Sequence, residues 1–234
     1  VQISSVGMEN LKSEIVAALE KVCKPKSILF KNNGKMRAPE DLPSYVNVEF
    51  GEECSEAELV ENGVRFIAPI VAGQKTGWFY DHRMNRARLK DYVKGKRVLD
   101  LYSYIGGWGI QAAAFGAKSV TCVDSSKLAL DYVEKNAQLN GVQDKVTCLE
   151  GDVFDACRQL KEEGAKFDVV IVDPPAFIPR RKDQKAGELA YQRLNQLAMR
   201  LLEKDGLLIS ASCSMHMSRS ALIKAVSLGG QTLE

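Results

Sequence analysis

The chain has 234 residues, 45% hydrophobic and 26% charged, with a formal net charge of +2. Length divided by 150 gives about 1.6, so one large domain or one domain plus a small annex is expected. This composition excludes wholesale disorder and collagen-like or coiled-coil repeats, and no apolar run approaches the ~18 residues of a membrane span.

No charged leader followed by an apolar run opens the chain, so secretion is not expected. Cys23, Cys54, Cys122, Cys148, Cys157 and Cys213 stand singly, without a C-x-x-C pair. That spacing suits neither a disulfide framework nor a zinc site, and points to a reducing cytoplasm. Because it opens on Val1 and stops at Glu234, the chain reads as a piece of a longer protein.

In chain order, the first ~25 residues read as an amphipathic helix with Leu11, Ile15, Leu19 and Val22 on one stripe. Extended runs follow at 27–30, 45–50 and 64–71, separated by turn chemistry at Asn32-Asn33-Gly34 and Asn62-Gly63. Residues 1–75 are therefore expected to form a small α+β annex. The acidic stretch from Glu52 to Glu61 is expected to be a solvated loop.

From Arg97 the pattern changes. Runs at 97–101, 119–124, 145–150, 167–173 and 207–213 have strand length and β-branched character. Helical stretches lie between them at 107–115, 126–140, 153–161 and 184–202. Such alternation predicts an α/β fold, a Rossmann-like parallel sheet covered on both faces, over residues 76–234. Ligands in such a sheet bind beyond the carboxyl ends of the strands, so the polar groups there are the candidates.

The first strand runs through Asp100 into Ser103-Tyr104-Ile105-Gly106-Gly107, a small-residue loop that lets backbone N–H groups approach a ligand. Asp124 ends the second strand, where a carboxylate can accept both hydroxyls of a ribose; it could equally serve the next helix as an N-cap, as could Ser125 or Ser126. Asp152 follows the third strand, placed for an adenine amino group or, again, as an N-cap. The fourth strand ends in Asp173-Pro174-Pro175-Ala176-Phe177, where two prolines carry the chain stiffly off the sheet. No phosphate-binding G-x-x-x-x-G-K-[ST] is present, and Tyr104 occupies the first glycine place of G-x-G-x-x-G. Adenosine-type acceptors without a diphosphate loop make S-adenosylmethionine the best-fitting cofactor.

Together, Val98–Gly107, Val123-Asp124, Gly151-Asp152, Asp173–Phe177 and Ser212-Cys213-Ser214 resemble the class I S-adenosylmethionine-dependent RNA methyltransferases, specifically the ribosomal large-subunit cytosine-5 methyltransferase I type. The segment Gly73–Arg83 is similar to that family's leader into its catalytic domain. The resemblance implies methylation of carbon 5 of a cytosine in ribosomal RNA, with Cys213 and Asp173 catalytic. It implies cofactor contacts from Asp100, Ser103, Tyr104, Gly106, Asp124, Ser125, Asp152, Val153 and Asp173, and substrate contact from Phe177. It also implies a homodimer, no metal, a leading PUA domain and further C-terminal strands; the last two are not visible in this chain. Ala176 stands where some relatives carry Lys and where another group of cytosine-5 enzymes carries a second Cys, so no side chain is assigned to proton removal.

Cys213 has polar neighbours and follows its strand, unlike Cys122 and Cys148 inside apolar strands, which read as small buried hydrophobes. Two basic clusters could hold phosphates. One is Arg83, Arg86, Arg88, Lys90, Lys94, Lys96 and Arg97; the other is Arg180, Arg181, Lys182 and Lys185, favoured for RNA because it follows the Pro-Pro turn. His82 and His216 suit surface or hydrogen-bonding roles. Two rival functions share these residues: methylation of an exocyclic nitrogen through Asp173-Pro174-Pro175 with Phe177 stacked on the base, and RNA or ribosome binding without turnover.

Overall fold

The computed structural model describes residues 1–231. The chain divides into two compact units: Val1–Leu59 with Ile67–Tyr80, and Val60–Phe66 with everything from Asp81 onward.

In the first unit the expected single helix is broken. Ser5 caps α1 (Val6–Glu9), and α2 (Lys12–Cys23) begins after Leu11 and stops at Lys24, whose φ is 47°. The break resets the helical phase. Ile15, Val16 and Leu19 pack on Ile3, Ile28 and Phe30, while Leu11 and Val22 are exposed. β1 (Ser27–Asn32) pairs antiparallel with β2 (Tyr45–Gly51). Arg37 is buried beside them, its Nη1 donating to Glu9 Oε2 at 2.9 Å and to the Ile3 carbonyl at 2.6 Å.

β3 (Glu56–Glu61) and β4 (Val64–Pro69) form a hairpin. The expectation of a solvated acidic loop over Glu52–Glu61 is thus corrected for its second half. Asn62 (φ 54°) and Gly63 (φ 83°) both take left-handed backbone, the conformation of a two-residue hairpin turn, and that turn requires a strand on each side. The hairpin contributes its tip, Val60–Phe66, to the second unit.

The second unit holds α3 (Arg83–Ala87) and a five-stranded sheet: β5 (Arg97–Leu101), β6 (Ser119–Asp124), β7 (Val146–Glu150), β8 (Phe167–Val172) and β9 (Leu202–Ser210). All neighbours are parallel, in the order β7-β6-β5-β8-β9. β9 starts earlier and ends earlier than the run 207–213 predicts. Its first half is the polar Glu203-Lys204-Asp205, hidden from an apolar pattern, and Asp205 (φ 62°) sits where the pairing with β8 shifts register. Cys213 consequently lies in the loop beyond the strand.

Helices α4 (Gly109–Ala114), α5 (Lys127–Leu139), α6 (Val153–Glu162) and α7 (Gln184–Arg200) connect the strands. Leu99, Leu101, Val123, Val170 and Val172 face α6 and α7, packing against Ala156, Cys157, Leu160, Leu194 and Ala198. On the opposite face α4 comes so close that a Cβ on Gly109 would lie 2.5 Å from Cys122 Sγ. Sequence pattern did not reveal α8 (Arg219–Gln231), which packs on α7 through Ala225. No helix among the described residues is long and apolar enough to cross a membrane.

Candidate active site

β5 and β8 are neighbours, yet the chain proceeds outward from them in opposite directions, so their carboxyl ends flank the topological switch point, the place where sheets of this kind bind ligands in a crevice. The loop leaving β5 is wound unusually: Tyr102 (φ 63°), Tyr104 (φ 49°) and Gly106 (φ 87°) all adopt left-handed backbone. For a non-glycine residue that costs on the order of 1–2 kcal/mol, so neighbouring bonds must enforce it. Ser103 N–H donates to the Val123 carbonyl at 3.0 Å, Gly106 N–H to the Ser103 carbonyl at 2.8 Å, and Tyr104 N–H to Asp124 Oδ2 at 2.9 Å.

Asp100 is fully buried, and its Oδ2 accepts the Gly109 N–H at 2.8 Å. Burial pushes its acid dissociation up to about 8; the Gly109 bond opposes this, and the charges of Asp173 and Asp124 add to it. Asp100 Oδ1 and the buried Ser103 Oγ are bonded to no other group among the described residues.

Asp124 does not cap α5. Ser126 does, its Oγ accepting from Ala129 N–H, while Asp124 Oδ1 takes the Ser126 N–H at 2.9 Å and Oδ2 the Tyr104 N–H. Each carboxylate oxygen keeps a second lone pair. Asp152, by contrast, does cap its helix: Oδ1 accepts from Phe154 N–H at 2.9 Å and Asp155 N–H at 3.2 Å. The Val153 side chain is in the core, 2% exposed, so only its backbone could face a ligand. Ser125 is exposed beside Asp124.

At the end of β8, Asp173 is bonded to one aromatic side chain and faced by a second ring. Trp108 Nε1 donates to Oδ2 at 2.9 Å, and His82 Nε2 lies 3.7 Å from Oδ1. The Asn85 amide stands 3.1 Å from His82 Nδ1, on the side of the ring away from Asp173. Phe177 joins an aromatic group, its ring centroid 4.9 Å from Tyr191 and 6.4 Å from both Tyr102 and Phe154.

Cys213 is exposed, and its Sγ lies 3.6 Å from the Pro174 carbonyl oxygen. The motifs ending β8 and β9 therefore meet at that thiol. The thiols in the sheet and α6 differ. Cys148 is half-buried, less enclosed than its place in an apolar strand predicts, and desolvation pushes it up to about 11. Full burial pushes Cys157 up to about 12 and Cys122 well above its ordinary value. These shifts disfavour their thiolates. Among the described residues, no cluster of three His, Cys, Asp or Glu side chains is placed to hold a metal ion.

The first basic cluster does not act as one surface. Arg86 is buried, with Nε 2.6 Å from Glu61 Oε1 and Nη2 3.0 Å from Oε2, so it is unavailable to phosphate. Arg97 opens β5, at the end of the sheet away from the crevice, and bonds to Asp168 and Glu203. In the second cluster Arg180 pairs with Asp183 at 2.9 Å, and Arg181 is exposed.

The model of the S-adenosylmethionine-dependent methyltransferase family matches residues 35–223. The chain belongs to that family. Its cofactor is S-adenosylmethionine, and the strand ends suit it: acidic side chains stand at or near the ends of β5, β6 and β8, and Asp100 and Ser103 hold buried oxygens with bonding capacity to spare. Among curated methyltransferases, ribosomal RNA large subunit methyltransferase I of Aeromonas salmonicida is 38% identical over 227 residues, 96% of this chain and 57% of the relative. The protein of that name from Vibrio vulnificus (strain YJ016) is 36% identical over 229 residues, 96% and 58% respectively. The chain thus spans a little over half the length of the curated relatives it matches. A crystal structure of SMU.776, described as a candidate methyltransferase complexed with SAH, superposes with a TM-score of 0.81 at 25% identity, over 97% of this chain and 58% of that one. A structure from Streptococcus mutans described as a candidate SAM-dependent methyltransferase, at 24% identity and TM-score 0.83 over 100% of this chain and 59% of that one, shares the fold.

Three contributors escaped the sequence reading. Trp108 and Tyr191 fell unremarked inside the helical stretches 107–115 and 184–202, and Glu61 inside the acidic loop. Only the hydrophobic-to-acid step at Val60-Glu61, directly before Asn-Gly, hinted at a buried carboxylate.

Proposed function

We propose that the protein transfers a methyl group from S-adenosylmethionine to carbon 5 of a cytosine in large-subunit ribosomal RNA through a covalent adduct on Cys213. The observation that carries this reading is the approach of Cys213 Sγ to within 3.6 Å of the Pro174 carbonyl, one residue from the Asp173 carboxylate. The substrate class is taken from the names of the curated relatives. Residues 76–234 are assigned to methyl transfer and the annex, 1–75, to RNA contact.

Bound S-adenosylmethionine supplies an electrophilic methyl group. Carbon 5 of cytosine is too weak a nucleophile to accept it unaided. Addition of the Cys213 thiolate to carbon 6 forms a C–S bond and pushes the ring π electrons toward carbon 5. Asp173, its carboxylate held by the Trp108 indole N–H, holds the pyrimidine edge as charge moves into the ring. After methylation the carbon-5 proton leaves to a base, its electron pair restores the double bond, and the sulfur departs as thiolate.

Asp124 holds the ribose hydroxyls, Asp152 and the Val153 N–H the adenine edge, and the Ser103–Gly106 backbone the amino-acid part, with Asp100 and Ser125 at its borders. Arg180 and Arg181 meet RNA phosphates beside Phe177. Methylation of an exocyclic nitrogen would need no thiol at this place. Mass analysis of nucleosides from ribosomal RNA treated with the full-length protein and labelled S-adenosylmethionine tests the reading. Label in 5-methylcytidine supports it; label in an N-methylated nucleoside or in none contradicts it.

A further inference from the structure

We infer that Tyr191 is a positioning residue for Cys213, its buried hydroxyl locking the Ser212–Ser214 loop to the Asp173–Ile178 loop. This rests on the proposed role of Cys213 and explains how an exposed thiol on an irregular loop is aimed. Tyr191 lies in the middle of α7 and is fully buried, its ring packed on Phe177, Ile178 and Ala225. Apolar packing accounts for the ring. It does not account for the oxygen.

That oxygen lies 2.8 Å from Ser212 Oγ and 2.9 Å from Ser214 Oγ, the residues on either side of Cys213. Ser214 Oγ also accepts the Ile178 N–H at 3.2 Å, and Ser212 Oγ accepts the Ser214 N–H at 3.2 Å. Ser212 Oγ donates to the Tyr191 oxygen, and the Tyr191–Ser214 contact is satisfied with either hydroxyl as donor. The loop is therefore pinned on both flanks of the thiol to a helix, and through Ile178 to the loop that carries Asp173. Cys213, between the pins, is left with Sγ over Pro174. A nucleophile must stand within a few tenths of an ångström of its attack geometry, and a shift of about 1 Å can cost on the order of 100-fold in rate.

The test uses the full-length protein and RNA containing 5-fluorocytosine, whose fluorine blocks the final elimination and traps the carbon-6 adduct. Tyr191→Phe keeps the ring and removes the hydroxyl. It is expected to slow adduct formation about 10- to 100-fold, leaving KM for RNA and affinity for S-adenosylmethionine within about twofold. Ser212→Ala, which removes the same tie from the other end, should slow it similarly, and the double variant should be no slower than the slower single variant. If Tyr191→Phe folds poorly, Ser212→Ala carries the test alone. Parental adduct rates in the variants, or a loss confined to KM and cofactor affinity, overturn the positioning role while leaving the cytosine-5 reading intact. A parent protein that forms no adduct overturns both.

Discussion

Trp108 Nε1 donates a 2.9 Å hydrogen bond to Asp173 Oδ2, joining the loop after β5 to the motif after β8 across the switch point. The indole is nearly buried, and Arg86 lies over its face at 5.9 Å. Trp108→Phe retains most of the ring and deletes the donor. A hydrogen bond to a charged group contributes about 1.5–3 kcal/mol, so kcat/KM should fall at least about tenfold, with S-adenosylmethionine affinity little changed. Steady-state kinetics equal to the parent's would show that Asp173 is held adequately without the indole.

Asp124 combines two backbone bonds with the proposed ribose contact. Asp124→Ala should weaken S-adenosylmethionine binding by about 1.5–3 kcal/mol. It should also lower thermal stability, because Tyr104, held at φ 49°, loses the partner of its N–H. Calorimetry with the cofactor reads the first effect and a thermal melt the second. Unchanged affinity would remove Asp124 from the cofactor site.

Glu61 is 1% exposed and bonds Arg86 twice, with Gln111 Nε2 a further donor at 2.9 Å. Glu61→Ala leaves a buried guanidinium without its counter-charge and should destabilise the protein by about 3–5 kcal/mol in denaturant titration. Glu61→Leu combined with Arg86→Met should recover most of that loss. A double variant as unstable as Glu61→Ala would mean the pair stabilises through geometry that apolar groups cannot replace.

These residues also mark what the sequence made legible. Apolar runs of strand length beginning at Arg97 and Ser119 identified their strands to the residue, because strands buried on both faces are written in near-continuous apolar and β-branched side chains. The strand ends were equally readable: Asp100, Asp124 and Asp173 break apolar runs, and the parallel topology brings them to one edge. Partnership was not readable. Whether Asp124 or Ser126 capped α5, and that Asp152 capped α6, depended on backbone direction over two or three residues. Glu61 and Arg86 were written as surface charges because each is polar locally; only folding brings together two positions 25 apart in sequence. The clamp on Cys213 was invisible for the same reason, Tyr191 lying 21 residues from Ser212.

The pH dependence of stability follows from Asp100. Its folded-state value of about 8 exceeds the ordinary 3.8, so between those values the folded protein retains a proton that the unfolded chain has released. The stability tied to this group is fully present below about pH 4 and is lost as pH rises through about 8. Asp100→Asn keeps an oxygen for the Gly109 N–H and removes the ionisation. In denaturant titrations from pH 5 to 8.5, stability of the parent relative to Asp100→Asn should decline steadily with rising pH. Parallel curves would show that Asp100 ionises normally within the fold.

The central claim is that Cys213 is the nucleophile, and Cys213→Ala measures it most directly. In the full-length protein this variant should produce no 5-methylcytidine in ribosomal RNA, while binding S-adenosylmethionine within about threefold of the parent, or ~0.6 kcal/mol. Chelators should leave the parent's activity unchanged, since a thiolate needs no metal. Methylation that persists in Cys213→Ala, with cofactor affinity intact, would contradict the covalent mechanism and move the chemistry to Asp173 and Phe177.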